Sequence, residues 1–185
     1  KGVVGGRESV KFNTKVVGSE KRLNGPSKVR AWGEIAFEVK AFDFMTGTPF
    51  HHTPRILRLY FDGKLASEVN ISDVLFANTR AINSFMDYAQ QVNTGEFFMK
   101  FTKEKNNPLN IQKSFINNGI LNVNEEREYE VVYEVEDDMG LKDVLRMTIV
   151  GEKHQYTSYP TQTDKLTAGI PNMFENDKLL MLFPE

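Results

Sequence analysis

The sequence predicts an all-β fold, an immunoglobulin-like antiparallel β-sandwich with one short helix. Residues 31–42 alternate strictly, with Ala31, Gly33, Ile35, Phe37, Val39 and Ala41 on one face and Glu34, Glu38 and Lys40 on the other. The same period returns in Tyr129, Val131, Tyr133 and Val135, and again in Leu145, Met147 and Ile149. A period of two is the mark of a half-buried antiparallel strand. Such runs recur at about ten-residue spacing with turn residues between them, which favours a sandwich over a parallel α/β fold.

In order along the chain, residues 1–26 form an N-terminal strand segment, with Val10, Phe12, Val16 and Val17 as its apolar residues and Asn24, Gly25 and Pro26 as its turn. The sandwich proper spans 27–151. A hairpin follows the first long strand, turning at Asp62 and Gly63, because glycine takes positive φ freely and Asp bonds its own backbone. Of the two registers open to it, the bulged one sets Leu59 opposite Leu65 and puts Leu57, Leu59 and Leu65 on one face; it is the preferred one. The helix is expected near 78–92, where Ile82, Phe85, Met86 and Ala89 recur at helical spacing, Asn78 or Thr79 can cap the start and Gly95 can end it. Strands resume at residues 96–101 and 109–111, and the last two long strands form a terminal hairpin around Asp137, Asp138, Met139 and Gly140. Residues 152–185 read as a linker and the truncated strand of a following β domain.

Composition excludes several classes. There is no cysteine, which removes disulfides, thiolate metal sites and cysteine nucleophiles together. No apolar run approaches the roughly eighteen residues of a membrane span, and no signal-peptide pattern is visible. A start at Lys1 instead of Met is what an excerpt of a longer protein would show. Charge is uneven: Lys1, Arg7, Lys11, Lys15, Lys21, Arg22, Lys28 and Arg30 stand near the start, while Glu125, Glu126, Glu128, Glu130, Glu134, Glu136, Asp137 and Asp138 form an acidic belt. The basic third lacks interleaved aromatics, so nucleic acid is not an expected partner. Solvated strand and loop faces are the simpler reading of both groups.

Several segments together resemble a family. Residues 29–43 are similar to a strand written roughly V-x-G-x-I-G-F-x-I-x-A-x-D, residues 57–63 to E-L-x-V-D-G, and residues 79–88 to x-R-Y-I-N-x-x-I-D-Y. Residues 107–111 resemble N-x-L-x-I-Y, and residues 135–140 resemble V-x-D-x-x-G-N. In this order they resemble the β-rich region that follows the catalytic domain in long lysostaphin-type zinc metallopeptidases of Gram-negative envelopes. Ala31, Ala36, Ala81 and Leu141 depart from the pattern, and residues 50–54 have no counterpart in it. The resemblance implies a non-catalytic accessory or scaffold role beside a peptidoglycan endopeptidase, and a periplasmic or envelope location. Its possible partners are the catalytic domain of the same protein and peptidoglycan. It carries Arg80 and Asp87 over as structural residues, and it makes Met173, Phe174 and residues 179–184 the opening of a next β domain.

The family's zinc chemistry is missing from the chain. Its H-x-x-x-D and H-x-H ligand patterns have no match, since His51, His52 and His154 are followed at the fourth position by Arg55, Ile56 and Ser158. No metal, cofactor or catalytic residue is therefore expected. His51 and His52 are adjacent and point to opposite faces of an extended chain, so they read as an ordinary loop. Asp137, Asp138 and Asp143 lack EF-hand spacing and read as an acidic turn, with calcium as the alternative. Trp32, Phe50 and Tyr60 are the candidate binding residues, an aromatic platform for sugar rings if exposed together. Asp62 and Gly63 are structural. A spacer or protein-interaction domain with no ligand is the remaining class. The apolar run Leu179, Leu180, Met181, Leu182 and Phe183 is expected to pair with a sheet edge or to exchange between molecules.

Overall fold

Alternation sets the middle of the molecule. The computed structural model describes residues 2–17, 20–44, 51–72, 74–153, 173–175 and 178–180. They divide into two units that part between residues 154 and 155. The first unit opens with β1 (Val3–Val4), β2 (Asn13–Val17), β3 (Glu20–Asn24), β4 (Lys28–Ile35), β5 (Glu38–Val39), β6 (Asp43–Phe44), β7 (His51–His52), β8 (Ile56–Phe61) and β9 (Lys64–Asn70). A helical segment follows: a 3-10 helix at Phe76–Ala81, α1 (Ile82–Phe85) and α2 (Tyr88–Thr94). It closes with β10 (Met99–Lys100), β11 (Gln112–Ser114), β12 (Leu121–Val123), β13 (Glu128–Glu136) and β14 (Lys142–Gly151).

The fold is mainly β with short helices, and its large sheet is mixed and strongly curled, a half-barrel in the order β1-β4-β14-β13-β8-β9-β11. The arrangement is not clearly a two-sheet sandwich, because β4, besides pairing with β1, is shared between β14 and β12. Residues 28–31 run parallel to β14, and residues 33–35 run antiparallel to β12. Gly33, with φ of 87°, stands at the handover, in a conformation that a side chain would disfavour. The strand expected over 31–42 is therefore bent and interrupted, resuming as β5 against β10. Its inward row is nonetheless buried: Ala31, Ile35 and Phe37 are core, and Val39 and Ala41 pack against it.

The central hairpin departs from its preferred register. Asp62 and Gly63 alone form the loop, both with positive φ, and Phe61 stands opposite Lys64 and Tyr60 opposite Leu65. The irregularity lies one step further on, so Leu59 meets Ser67 and Leu57 meets Val69. Leu65 thus shares the outward row with Tyr60, while Ala66 and Ser67 are both fully buried. Two positive-φ residues match the twist of the flanking strands, which a three-residue turn would have had to supply with a bulge at the loop. Asp62 then fastens the loop to β13. Its N–H donates to the Glu130 carbonyl at 2.9 Å, its Oδ1 accepts the Glu130 N–H at 2.9 Å, and Arg127 donates to its Oδ2 at 2.9 Å.

Rings fill the core beneath β13. Tyr133 lies edge-on to Phe37 and Phe101, with centroids 6.1 and 5.6 Å away, and Phe37 lies 5.5 Å from Phe61. Leu57, Leu59, Val69, Met99, Val123 and Val131 complete it with no exposed surface. Residues 99–102 make little regular sheet, and side chains hold them instead. Ser67 Oγ donates to the Phe101 carbonyl at 2.7 Å, and Gln112 Nε2 donates to the carbonyls of Lys100 and Thr102 at 2.9 and 3.0 Å.

The single helix expected near 78–92 is broken. Met86 is extended and bridges Met99, so the backbone leaves helical geometry after Phe85. Asp87 restarts it as the cap of α2, accepting the Gln90 N–H at 3.0 Å, and Gly95 ends it in the left-handed conformation. Phe85 and Met86 are buried as the spacing predicts, but Ala89, past the break, is exposed. Residues 109–111, expected as a strand, instead approach β11 as turn and loop.

In the second unit β15 (Met173–Glu175) pairs antiparallel with β16 (Lys178–Leu180), Phe174 opposite Leu179. Of the run expected to pair or exchange, Met181, Leu182 and Phe183 lie outside the described residues.

Where β14 ends, a backbone crosses close: a Cβ on Gly151 would stand 1.9 Å from the Glu125 carbonyl oxygen. Gly151→Ala is therefore expected to destabilise the first unit by about 3 kcal/mol, which urea unfolding would read as a lower midpoint at unchanged slope.

Candidate functional site

The outward face of β8, β9, β13 and β14 carries the densest arrangement of polar side chains. Register sets Arg58 between Glu68 on β9 and Glu134 on β13. Its Nε donates to Glu68 at 2.8 Å, and its NH1 donates to Glu134 at 2.7 Å and to Glu136 at 2.8 Å. Arg55 adds a bond to Glu136 at 3.1 Å, and Lys142 one to Glu134 at 3.0 Å. The three carboxylates thus face three cations, and the cluster is neutral.

Each group's titration follows. The Arg58 guanidinium is pushed up, first by Glu136 and then, against partial burial, by Glu68 and Glu134. Burial would raise the Glu134 carboxyl, but Lys142 and Arg58 outweigh it and the net shift is downward. Glu136 is lowered chiefly by Arg58, and Lys142 is raised by Glu134. A guanidinium ringed by carboxylates that are themselves paired has no free acid or base to offer a substrate. The cluster locks strand register.

The three aromatic candidates do not meet as a platform. Trp32 is half-buried on β4, opposite Val3 of β1. Tyr60 is half-buried on β8, beside Val132 and Leu65, with β14 and β13 lying between it and β4. Phe50 lies outside the described residues. Arg80 is exposed at the end of the 3-10 helix, and Asp87 lies beyond the break in the helix. Although they are seven residues apart, the break at Met86 leaves them no common helical face.

Within segments 57–63, 79–88, 107–111 and 135–140, several polar side chains bond the main chain. Besides Asp62 and Asp87, Asn107 Oδ1 accepts the Leu109 N–H at 2.9 Å. Asp137 Oδ1 accepts the N–H groups of Met139 and Leu141, each at 2.8 Å. Asp143 pairs with Lys21. Among the described residues no group of three or more His, Asp or Glu is placed to hold a metal. His51 and His52 form β7, antiparallel to β6. No described helix is long and apolar enough to cross a membrane.

Elsewhere, Glu38 is pushed up, by loss of water first and by Asp87 next, with Lys100 opposing. An open depression of about 520 Å³ is lined by Pro26, Ser27, Lys28, Arg30, Glu128, Val150 and Glu152. Its charges are already paired, Lys28 with Glu128 and Arg30 with Glu152.

What the sequence reading missed is apolar. Leu75, Phe76, Tyr88 and Val92 are exposed on the helical segment, Phe76 by 91%. Tyr88 and Val92 are four apart in α2, hence on one face. Their spacing, three and seven residues after Phe85, would continue the buried stripe of an unbroken helix, so the sequence did not announce their exposure; the break at Met86 does. No family model, curated protein or solved structure matches the chain.

Two outcomes follow from the ion pairs. Arg58→Met removes the shared cation and leaves Glu68, Glu134 and Glu136 facing one another. The expected loss is about 1–3 kcal/mol by denaturant unfolding, smaller in Glu134→Gln, which relieves the repulsion. Glu96 accepts from Lys11 at 2.6 Å, from Lys40 at 3.2 Å and from Gln90 at 3.3 Å, and Lys11 above all holds its carboxyl down to about 2. A depressed carboxyl stabilises above its ordinary value of 4.5 and loses that contribution as pH falls through 2. Carbon-detected NMR titration should give a midpoint near 2 for Glu96, moving toward 4.5 in Lys11→Ala.

Proposed function

We propose that this chain is a non-catalytic accessory region of a cell-envelope peptidase. In this reading it is a β scaffold that positions or restrains a lysostaphin-type zinc endopeptidase domain acting on peptidoglycan, in the periplasm or envelope. One observation carries the reading. Asp62, Asp87, Asn107 and Asp137, polar residues of the segments that resemble the peptidase-associated region, each accept a hydrogen bond from a main-chain N–H. Side chains used this way fix turns and caps; they are the signature of a frame. The finer architecture is read as an immunoglobulin-like sandwich in curled form, which β4's transfer from β14 to β12 supports.

A scaffold needs a contact surface, and the helical segment offers Leu75, Phe76, Tyr88 and Val92. The test is titration of the chain with a lysostaphin-type endopeptidase catalytic domain of the same source, followed by calorimetry. Association is expected, weakened about tenfold or more when Phe76 and Val92 are both replaced by Asp, since few residues dominate an interface. Co-sedimentation with insoluble peptidoglycan is run alongside. Binding there that disappears in Trp32→Ala, with no association in calorimetry, would replace the scaffold with a glycan-binding module. Binding to neither partner would overturn both.

A further inference from the structure

Three steps of the chain set asparagine or aspartate before glycine: Asn24-Gly25, Asp62-Gly63 and Asn118-Gly119. Such a step is chemically labile, because the glycine nitrogen can close on the side-chain carbonyl carbon with no Cβ in its way. Closure requires the side chain and the following peptide to turn toward each other. At Asn118 neither can. Its backbone is left-handed, with φ of 55° and ψ of 34°. Its Oδ1 accepts the Lys103 N–H at 3.1 Å, and its Nδ2 donates to the Lys103 carbonyl at 3.0 Å. The Gly119 N–H donates to the Ile116 carbonyl at 2.8 Å, and Gly119 is buried so tightly that a Cβ would stand 2.7 Å from the Phe101 carbonyl oxygen. Asp62 is held likewise, its N–H and both carboxylate oxygens bonded to Glu130 and Arg127.

Asn24 differs from both. It ends β3 opposite Asn13, and residues 24–27, all exposed, carry the chain on to β4. A Cβ on Gly25 would meet only the Phe12 ring, at an ordinary 3.8 Å, so the peptide after Asn24 has room to turn. Among the described residues no hydrogen bond holds the Asn24 carboxamide or the Gly25 N–H. The electrophile and the nucleophile that are fixed at residues 118 and 119 are thus both free to move at residues 24 and 25.

We propose that Asn24 is a modification site, the asparagine–glycine step at which the folded chain deamidates. The Gly25 nitrogen gives its proton to solvent and attacks Asn24 Cγ. The new C–N bond closes a cyclic imide as Nδ2 takes up a proton and leaves as ammonia. Water then opens the ring, its hydroxyl adding to either carbonyl carbon and its hydrogen returning to the nitrogen, so residue 24 becomes aspartate or isoaspartate. No electrons are transferred, and water is the co-reactant. Either product adds a negative charge to a formal net charge of -2, and isoaspartate also lengthens the main chain between β3 and β4 by a methylene. Its displaced carboxyl is the chemical class of substrate that isoaspartyl methyltransferases take.

The test holds the whole chain in mildly alkaline buffer, folded or unfolded in guanidinium chloride. Peptide mapping by mass spectrometry follows the amide-to-acid mass gain at each site, and enzymatic methylation scores isoaspartate. In the folded chain Asn24 is expected to convert within about twofold of its unfolded rate, whereas Asn118 is slowed about a hundredfold or more, since it reacts only after local opening. Gly25→Ala should slow conversion at residue 24 by about tenfold or more and leave Asn118 unchanged, because a Cβ hinders the closing nitrogen. A folded chain in which Asn24 is as protected as Asn118, or in which Asn118 converts as fast as Asn24, would overturn the assignment. Conversion at residue 24 that Gly25→Ala leaves unslowed would overturn closure through the Gly25 nitrogen.

Discussion

The outward row of β13 runs Glu128, Glu130, Val132, Glu134 and Glu136, while its inward row, Tyr129, Val131 and Tyr133, is buried. A period-two strand cannot bury one row without lining up the other, so folding sets four glutamates along one face. Like charges so placed repel unless the neighbouring strands supply cations. Each glutamate receives at least one. Lys28 of β4 pairs with Glu128, Arg146 of β14 with Glu130, Arg58 of β8 and Lys142 of β14 with Glu134, and Arg58 and Arg55 with Glu136. Exposed pairs of this kind add little stability one at a time. Their effect is on register, because a one-residue slip would turn every cation away from its carboxylate.

The same complementarity explains the uneven charge of the sequence. The basic residues of the first third meet acidic residues from the rest of the chain: Lys11 meets Glu96, Lys21 meets Asp143, Lys28 meets Glu128 and Arg30 meets Glu152. The basic start is thus matched within the molecule, although of its partners only Glu128 belongs to the acidic belt, whose Glu130, Glu134 and Glu136 pair with Arg146, Lys142, Arg58 and Arg55. That match lets β3 and β4 lie parallel to β14, at the far end of the sequence, where no turn could set the pairing.

How much was legible follows the physics of range. Strands β13 and β14 could be read from alternation alone, because a local period decides which side is buried. The turn at Asp62 and Gly63 was legible for the same reason. Its register was not, since the irregularity sits at Ala66, where burial of Ala66 and Ser67 together depends on the Phe101 carbonyl across the core. The helix was legible as existing but not as broken. Its interruption comes from the bridge between Met86 and Met99, a contact the helical period cannot announce. The curl of the sheet was hidden too, because it depends on one strand changing partners at Gly33. At the candidate site, local turn and cap bonds such as those of Asn107 and Asp137 follow from spacing, but long-range partners such as Glu130 for Asp62 do not.

A division of labour runs through the first unit. Polar side chains that could have met a ligand are spent on turns, caps and cross-strand pairs, so the region from β8 to β14 is determined many times over. Departures from that economy are mostly apolar. Phe115, Met139 and Leu141 are exposed singly on loops of the first unit, whereas the helical segment exposes Leu75, Phe76, Tyr88 and Val92 within one stretch of chain. Scattered apolar residues are ordinary on a surface, but several on one element give another chain apolar area to bury. That area is nondirectional, so it is the polar side chains around it that would set the orientation of whatever binds.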